Sequence, residues 1–424
     1  MMKMKTTVKK GLAAAAVAMI IGVSTPTYAH VMSAGKEYTV GYYASQKYEK
    51  KYHSVEVADI INLQDYLIER NTDKLNYSYT EVPEKKERKR WLQKVKLSSD
   101  KSLNAFCFPG GILYVTQGLH DYLAEYRPED GRFPKYYRGT DNFAYENMMS
   151  AVLAHEMAHF ANEDFLDSYD KQFYSNLLIN IFGAKYGNSE LHQMAANIFD
   201  VMLTRQMSFS SEQKADEDAM KYMLKASKIF DYPYVKTSNQ LSIGGMAMLQ
   251  REMLKYEATH GTVSNYIQPH SKTEVRLQRA CDFIKETSKG RVIINPNGHF
   301  TVDGVDYTDA FKDDIRYSAT EQRFATAGAI AEAIYYGVYD DIKNDVDLYN
   351  RIEFYESNDG VSIYLRTSDN GLIWVMNTNP TFVNAWRNLK IDKWDQDSKD
   401  FYNTKMHLLF EPARKKLTQI MIYA

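Results

Sequence analysis

Two histidines and a glutamate stand close together in the segment His155-Glu156-Met157-Ala158-His159. In an α-helix, a spacing of four residues puts both imidazoles on one face, and Glu156 lies one residue round from the first. Imidazoles in this arrangement bind zinc, which lowers the pKa of a bound water to about 7 and polarises a carbonyl. The pattern predicts the core of a zinc peptidase site, with Glu156 as the general base that takes the proton of the attacking water.

The residues around this motif predict the helix that the site needs. Neither proline nor glycine interrupts the segment, and Asp141 and Asn142 are candidate N-cap residues. A broad apolar surface is formed by Met148, Met149, Val152, Leu153, Ala154, Met157, Ala158 and Phe160. The alternative interpretation is a buried helix whose histidines are ordinary core residues without a metal.

A zinc site of this kind needs a third protein ligand. The metzincin pattern would place Gly and then His after the second histidine, but those positions hold Asn162 and Phe165. Glu163 and Asp164 follow closely, yet they lead out of the helix, and either side chain would have to fold back sharply. We therefore expect these two carboxylates to leave zinc binding nearly unchanged.

Glu212 is a better candidate for the third ligand. It lies in an acidic segment, residues 210–220, that has the character of a second helix. Asp216 lies one turn further along that helix, where it can accept a hydrogen bond from a ligating imidazole. The alternative is an ordinary acidic helix face exposed to solvent.

Blocks on both sides of the histidine motif carry a family resemblance. Upstream stand Asn104-Ala105-Phe106 and Pro109-Gly110-Gly111, followed by a strand-like run. Downstream stand the segment around Glu212 and then Pro269-His270, with Arg276 six residues after the histidine. In order and rough spacing these blocks resemble the HtpX/BepA/LoiP-like gluzincin zinc metallopeptidases, the family of the type I CAAX prenyl endopeptidase.

The resemblance implies a metal site with one zinc ion per chain, bound by His155, His159 and Glu212. It makes Asp216 a hydrogen-bond partner of a ligand and Arg276 a nearby charge-stabilising residue. A plain surface arginine is the alternative for Arg276.

The resemblance also assigns catalytic and substrate-binding residues. His270 is implied to lie near the zinc, where it donates a hydrogen bond to the oxyanion or closes the site in a resting form. An open strand edge is implied to hold an extended peptide by main-chain hydrogen bonds. The substrate-binding residues would be Asn104, Ala105, Phe106, Pro109 and Gly110. For Pro109, Gly110 and Gly111, a simple turn before the next strand is the structural alternative.

The N-terminus has the character of an export signal. Four lysines precede an apolar run from residue 12 to residue 23, and Thr27-Tyr28-Ala29 offers a cleavage site before His30. We therefore expect residues 1–29 to be a signal peptide and the mature protein to be periplasmic or secreted. The apolar run is short for a membrane span, and none is expected after cleavage.

Composition fits a globular protein that acts on polypeptides. Charged residues make up 25% of the chain and hydrophobic residues 44%, and the formal net charge of −2 argues against nucleic acid as a partner. The two cysteines, Cys107 and Cys281, could form one disulfide or be small buried residues.

The predicted fold class is α+β, in two domains. Residues 30–288 are predicted to form a mostly helical, zincin-type metallopeptidase domain with a small β-sheet. Residues 289–424 are predicted to form a smaller α+β domain of unknown role, because strand-like runs at 361–367 and 372–376 meet at a turn and a helix precedes them at 321–338. The tyrosines of this second part could bind an envelope protein partner.

Together these features predict an exported zinc metalloendopeptidase that hydrolyses extended or misfolded polypeptides. The alternative from another functional class is a catalytically quiet chaperone or envelope-assembly factor that holds client chains in the same groove. The presence of Glu156 favours the enzyme.

Overall fold

The structure is a computed structural model that describes residues 30, 32–75, 92–124, 143–170, 208–229, 241–260, 272–310, 318–343, 352–357 and 360–377. By its internal contacts the chain divides into two units: Met1–Ser33 with Leu166–Lys185, and Ala34–Phe165 with Tyr186–Ala424. In the first unit, His30 Nδ1 lies 2.9 Å from Asp170 Oδ2. The predicted signal peptide, residues 1–29, lies outside the described residues.

Helices predominate in the second unit, in agreement with the predicted α+β class. They are α1 (Ala34–Lys51), α2 (Ala58–Arg70), α3 (Gln117–Ala124), α4 (Phe143–Ala161), α5 (Phe209–Ser227), α6 (Gly244–His260), α7 (Thr273–Thr287), α8 (Ala319–Tyr335) and α9 (Val338–Lys343). None of the described helices is both long enough and apolar enough to cross a membrane.

In the part of the chain that the structure describes, three small sheets accompany these helices. The strands are β1 (Ser54–Val55), β2 (Lys96–Ser98), β3 (Ala105–Phe108), β4 (Ile112–Thr116), β5 (Lys228–Ile229), β6 (Val292–Ile294), β7 (Phe300–Val302), β8 (Val305–Asp306), β9 (Ile352–Ser357), β10 (Gly360–Arg366) and β11 (Leu372–Asn377). Their orders are β1-β2-β4-β3, β5-β11-β10-β9 and β6-β7-β8.

The first sheet presents β3 at one of its edges among the described strands. β3 pairs with β4 in an antiparallel hairpin, and β4 pairs with β2 in parallel. Gly110 and Gly111 in the connecting turn have φ angles of 78° and 75°, a left-handed backbone that glycine adopts without steric cost. The Pro-Gly-Gly sequence therefore forms the turn of this hairpin, which was the structural alternative for these three residues in the sequence analysis.

Successive residues of β3 face opposite sides of the sheet. Ala105 and Cys107 belong to the main hydrophobic core, which also contains the buried residues of α4. Phe106 and Phe108 belong to a separate aromatic cluster on the other face, together with Tyr48 of α1. β3 thus lies between the motif-bearing helix α4 and the N-terminal helix α1.

The main core is continuous across the predicted domain boundary. It extends from Ile60 of α2 to Ile373 of β11 and includes the buried face of α8. β11 also pairs with β5, which directly follows α5. The predicted division of the chain at residue 288 is therefore not confirmed, although the hairpin β10–β11 and the helix α8 lie close to their predicted positions.

Both cysteines are buried and unbridged. Burial raises the pKa of the Cys281 thiol to about 12, so it stays protonated at neutral pH. Of the two interpretations left open for these residues, the structure supports small buried side chains.

Candidate active site

The two histidines of the sequence motif lie one turn apart on α4. This helix is 19 residues long and is packed on most sides by apolar residues, so the imidazoles lie in the interior. His155 Nε2 and His159 Nε2 are 3.1 Å apart. Both rings therefore direct their Nε2 atoms toward one point.

Glu212 reaches that point from the first turn of α5. The helix begins after Ser208, whose hydroxyl accepts a hydrogen bond from the backbone N–H of Ser211. The carboxylate of Glu212 is fully buried, with Oε2 3.5 Å from His155 Nε2 and Oε1 3.3 Å from His159 Nε2. The structure thus brings together the three residues predicted as ligands, although Glu212 lies at least 53 positions from either histidine in the sequence.

The donor atoms fit a zinc ion. Tetrahedral zinc with bonds of about 2.0–2.2 Å requires ligand atoms roughly 3.3–3.5 Å apart. The two Nε2 atoms are 3.1 Å apart, close to this range, and each lies within 3.5 Å of one of the two carboxylate oxygens of Glu212. Two imidazoles and one carboxylate are also the donor set of catalytic zinc sites, in which a fourth position stays open to water or substrate.

Asp216 and Arg276 lie on the Nδ1 side of His155, away from Glu212. Asp216 Oδ1 lies 2.9 Å from His155 Nδ1, and the guanidinium of Arg276 contacts both oxygens of Asp216 at 2.7 and 3.0 Å. Burial opposes the charge of Asp216, but Arg276 and His155 outweigh it and hold the pKa of this carboxyl well below its usual range. An ionised Asp216 keeps the Nδ1 proton of His155 in place and leaves Nε2 for the metal.

Asp164 contacts the second histidine, whereas the sequence predicts that Glu163 and Asp164 lead out of the helix. Glu163 has a φ angle of 62°, and this left-handed residue turns the chain back just after α4. As a result, Asp164 Oδ2 lies 2.7 Å from His159 Nδ1, the nitrogen that faces away from Glu212. Asp164 does not take the ligand position, but it fixes the ring of a ligand and should therefore affect zinc binding.

The environment of His159 is strongly anionic. Burial lowers the pKa of its imidazole, but the carboxylates of Glu212 and Asp164 more than offset this, so the pKa stands well above its ordinary value. The negative charge of Glu156 raises it further. Glu156 is itself buried, on the helix face next to the two histidines. The site therefore attracts a cation, whether a proton or a metal ion.

Comparison with known families identifies the domain that carries this site. Residues 69–283 match the model of peptidase family M48. The chain belongs to peptidase family M48. Members of this family are zinc-dependent metallopeptidases, so the chain is a peptide-bond hydrolase of the metalloprotease class, and the resemblance found in the sequence is confirmed. A comparison with curated proteins gave no match.

The M48 match contains all the predicted substrate-binding residues. Ala105 and Phe106 lie on β3, Pro109 and Gly110 lie in its turn, and β3 packs against α4, the helix that carries the histidines. Asn104 precedes β3, and its backbone N–H donates to Thr116 Oγ1 at 3.0 Å. The backbone N–H of Gly110 donates to Glu37 Oε1 at 3.2 Å, so this group is engaged by α1. His270 lies outside the described residues.

Sequence reasoning did not identify Asp164 as a partner of His159 or Glu37 as a partner of Gly110. A polar run directly after α4, Asn162-Glu163-Asp164, was the only signal for the first contact. Glu37 lies in α1, outside the M48 match, and 73 positions separate it from Gly110. No local pattern connects residues so far apart in the chain.

Proposed function

We propose that this M48 peptidase is an exported zinc endopeptidase that hydrolyses extended or misfolded polypeptides. The observation that carries the proposal is the buried cluster of His155, His159 and Glu212, because the two histidines lie on α4, which packs against the edge strand β3. A zinc ligand set next to a strand edge suits a substrate that is bound by its main chain rather than by its sequence.

The residues of the site divide the chemistry among them. His155, His159 and Glu212 would hold zinc, which polarises the scissile carbonyl and acidifies water when it is bound. Glu156 takes the proton from the attacking water and passes it to the leaving amine. Asp216 and Asp164 hold the Nδ1 protons of the two histidines, and this fixes the tautomer that presents Nε2 to the metal.

The edge strand supplies a binding mode for extended chains. The backbone N–H of Thr116 donates to the carbonyl of Asn104, so Asn104, Phe106 and Phe108 make the ladder bonds to β4. In an antiparallel pair, the main-chain groups of alternate residues, such as Ala105, point to the outer edge. A substrate strand added there would be recognised through backbone hydrogen bonds, which accounts for action on unrelated sequences.

Hydrolysis of an unfolded protein tests the enzymatic part of the proposal. Dye-quenched unfolded casein should be cleaved by the zinc-loaded chain, should resist cleavage with a chelator, and should be cleaved again when zinc is restored. Glu156→Gln should keep its zinc and lose about 10²–10⁴-fold or more in rate, because nothing takes the proton. Glu217→Gln, an exposed change on α5, is the matched control and should behave as wild type.

Binding of casein without cleavage by the zinc-loaded wild type would favour the chaperone alternative. Substantial turnover by zinc-loaded Glu156→Gln would instead refute the assignment of the base. Export is tested separately by N-terminal sequencing of protein recovered from its host. The proposal requires a mature chain that begins at His30, and an intact N-terminus in a cytoplasmic fraction would refute it.

A further inference from the structure

Helix α1 contacts the tip of the β3–β4 hairpin through the backbone of both elements. A Cβ atom at Gly41 would overlap the carbonyl oxygen of Pro109, and one at Gly110 would lie 2.6 Å from the Cα of Tyr38. The helix and the turn are therefore too close to leave room for a Cβ atom at either glycine. Glycine at both positions permits this contact.

A buried carboxylate completes this contact. Glu37 is 1% exposed, and its Oε1 accepts a hydrogen bond of 3.2 Å from the backbone N–H of Gly110. Burial of a charged group is costly unless it is hydrogen-bonded, so this bond constrains both partners. On the other side of the turn, the carbonyl of Gly111 accepts a hydrogen bond from the backbone N–H of Gln93 at 2.7 Å. The turn is thus held from two directions.

The same helix also supports the face of the sheet that is turned away from α4. Tyr48 of α1 packs edge-on against Phe106 and Phe108 of β3, with ring centroids 5.1 and 6.0 Å apart. Its hydroxyl lies 2.6 Å from Ser98 Oγ of β2. Since α4 packs on the opposite face, any displacement of α1 would move β3 relative to the helix that bears the histidines.

We propose that α1, which lies outside the M48 match, positions the edge strand for substrate pairing, and that Glu37 is the positioning residue. This rests on the proposed function, because it assumes that substrate adds to the edge of β3. Glu37 sets the place and register of β3 relative to the metal ligands, while the ligands themselves are held by α4 and α5. Loss of Glu37 should therefore impair substrate binding more than metal binding or the chemical step.

Three substitutions of Glu37 in the zinc-loaded full chain test this inference. Glu37→Ala and Glu37→Asp remove the contact with Gly110, and each should raise KM for unfolded casein by about threefold to thirtyfold with kcat within about twofold. Glu37→Gln keeps an oxygen at the same reach and should restore most of the wild-type KM. Zinc content should stay that of the wild type in all three. Thr39→Ala, an exposed change on α1, is the control.

A pair of glycine substitutions tests the backbone contact. Gly41→Ala should raise KM at least as much as Glu37→Ala, because the added methyl group must displace the turn or the helix. Gly35→Ala makes the same change on the same helix, but no atom lies within 4 Å of the added methyl group, so KM should not change. In the Glu156→Gln background, anisotropy of a labelled casein fragment should show the same order of affinities without any turnover.

The outcomes separate this inference from the proposed function. If the wild type cleaves casein but Glu37→Asp and Glu37→Ala have the KM of Thr39→Ala, the positioning role is refuted and the proposed function stands. If the Glu37 variants lose zinc or thermal stability with no rise in KM, α1 merely stabilises the fold, and the inference is again overturned. If the zinc-loaded wild type neither cleaves nor binds casein, both proposals fail. Should Glu37→Ala or Gly41→Ala fail to fold, the more conservative Glu37→Asp decides the question.

Discussion

Removal of Asp164 tests whether the contacts behind the imidazoles tune the metal site. Asp164→Ala deletes a 2.7 Å contact between a carboxylate and His159 Nδ1 in a buried environment. Loss of such a partner of a ligating histidine costs about 10–100-fold in metal affinity. This equals roughly 1.4–2.7 kcal/mol, within the range for a hydrogen bond to a charged group. Asp164→Asn keeps an acceptor without the charge and should fall between the wild type and Asp164→Ala.

The dissociation constant for zinc can be measured by competition with a chromogenic chelator. The raised pKa of His159 means that a proton competes with zinc in the metal-free protein, so the assay belongs at mildly alkaline pH. Glu217→Gln, an exposed change on α5, is the control and should bind zinc as the wild type does. An affinity of Asp164→Ala within about twofold of that control would refute the reasoning, because a contact worth tenfold or more would have had no effect.

Three further predictions follow from the same structure. Glu212→Ala should abolish tight zinc binding, measured as metal content after dialysis, since only two ligands remain; full occupancy would contradict the ligand assignment. Asp216→Ala should lower zinc affinity by about 10–100-fold, and in the same competition assay an unchanged affinity would count against its role behind His155. Burial raises the pKa of Glu332 well above its ordinary value, so the folded chain binds this proton more tightly than the unfolded chain. The free energy of unfolding should therefore fall as the pH rises from the ordinary carboxyl range toward the raised pKa, and Glu332→Gln should flatten this decline in melting temperatures taken between about pH 5 and pH 8. An identical pH dependence in the variant would refute that assignment.

The secondary structure of the C-terminal part could be predicted, but its packing could not. Alternating residues and a turn sequence indicate the hairpin β10–β11, because these signals are local. The pairing of β11 with β5 depends on residues more than 140 positions apart. Likewise, α8 packs against α6 at a place where Gly328 allows the two backbones to approach closely, and a Cβ there would lie within 3 Å of Gly244. The sequence changes character near residue 290, but the main core contains buried residues from both sides of that position.

Prediction of the metal site had a similar limit. The spacing of His155 and His159 places both imidazoles on one face of any helix. Glu212 was selected among several acidic residues with the help of the family resemblance, since its distance along the chain carries no geometric information. The contact of Asp164 with His159 was not predicted, because the chain was expected to lead away from the site after α4. The left-handed φ angle of Glu163 instead turns the chain back. That conformation is uncommon for a residue other than glycine, and propensity alone would not predict it.

The buried carboxylates of the site affect the binding of both protons and metal ions to the two imidazoles. Burial of the carboxylates of Glu212, Asp216 and Asp164 is costly unless cations compensate, and among the contacts described Arg276 serves Asp216. The remaining negative charge raises the pKa of His159, so a proton and a metal ion compete for the same imidazole. The carboxylates of Asp164 and Asp216 strengthen the binding of both the proton and the metal ion, because each carboxylate stabilises positive charge on the imidazole that it contacts. Acidification should therefore weaken zinc binding by protonating the ligands directly, and the full effect of the carboxylates on metal affinity should emerge only once those protons have left.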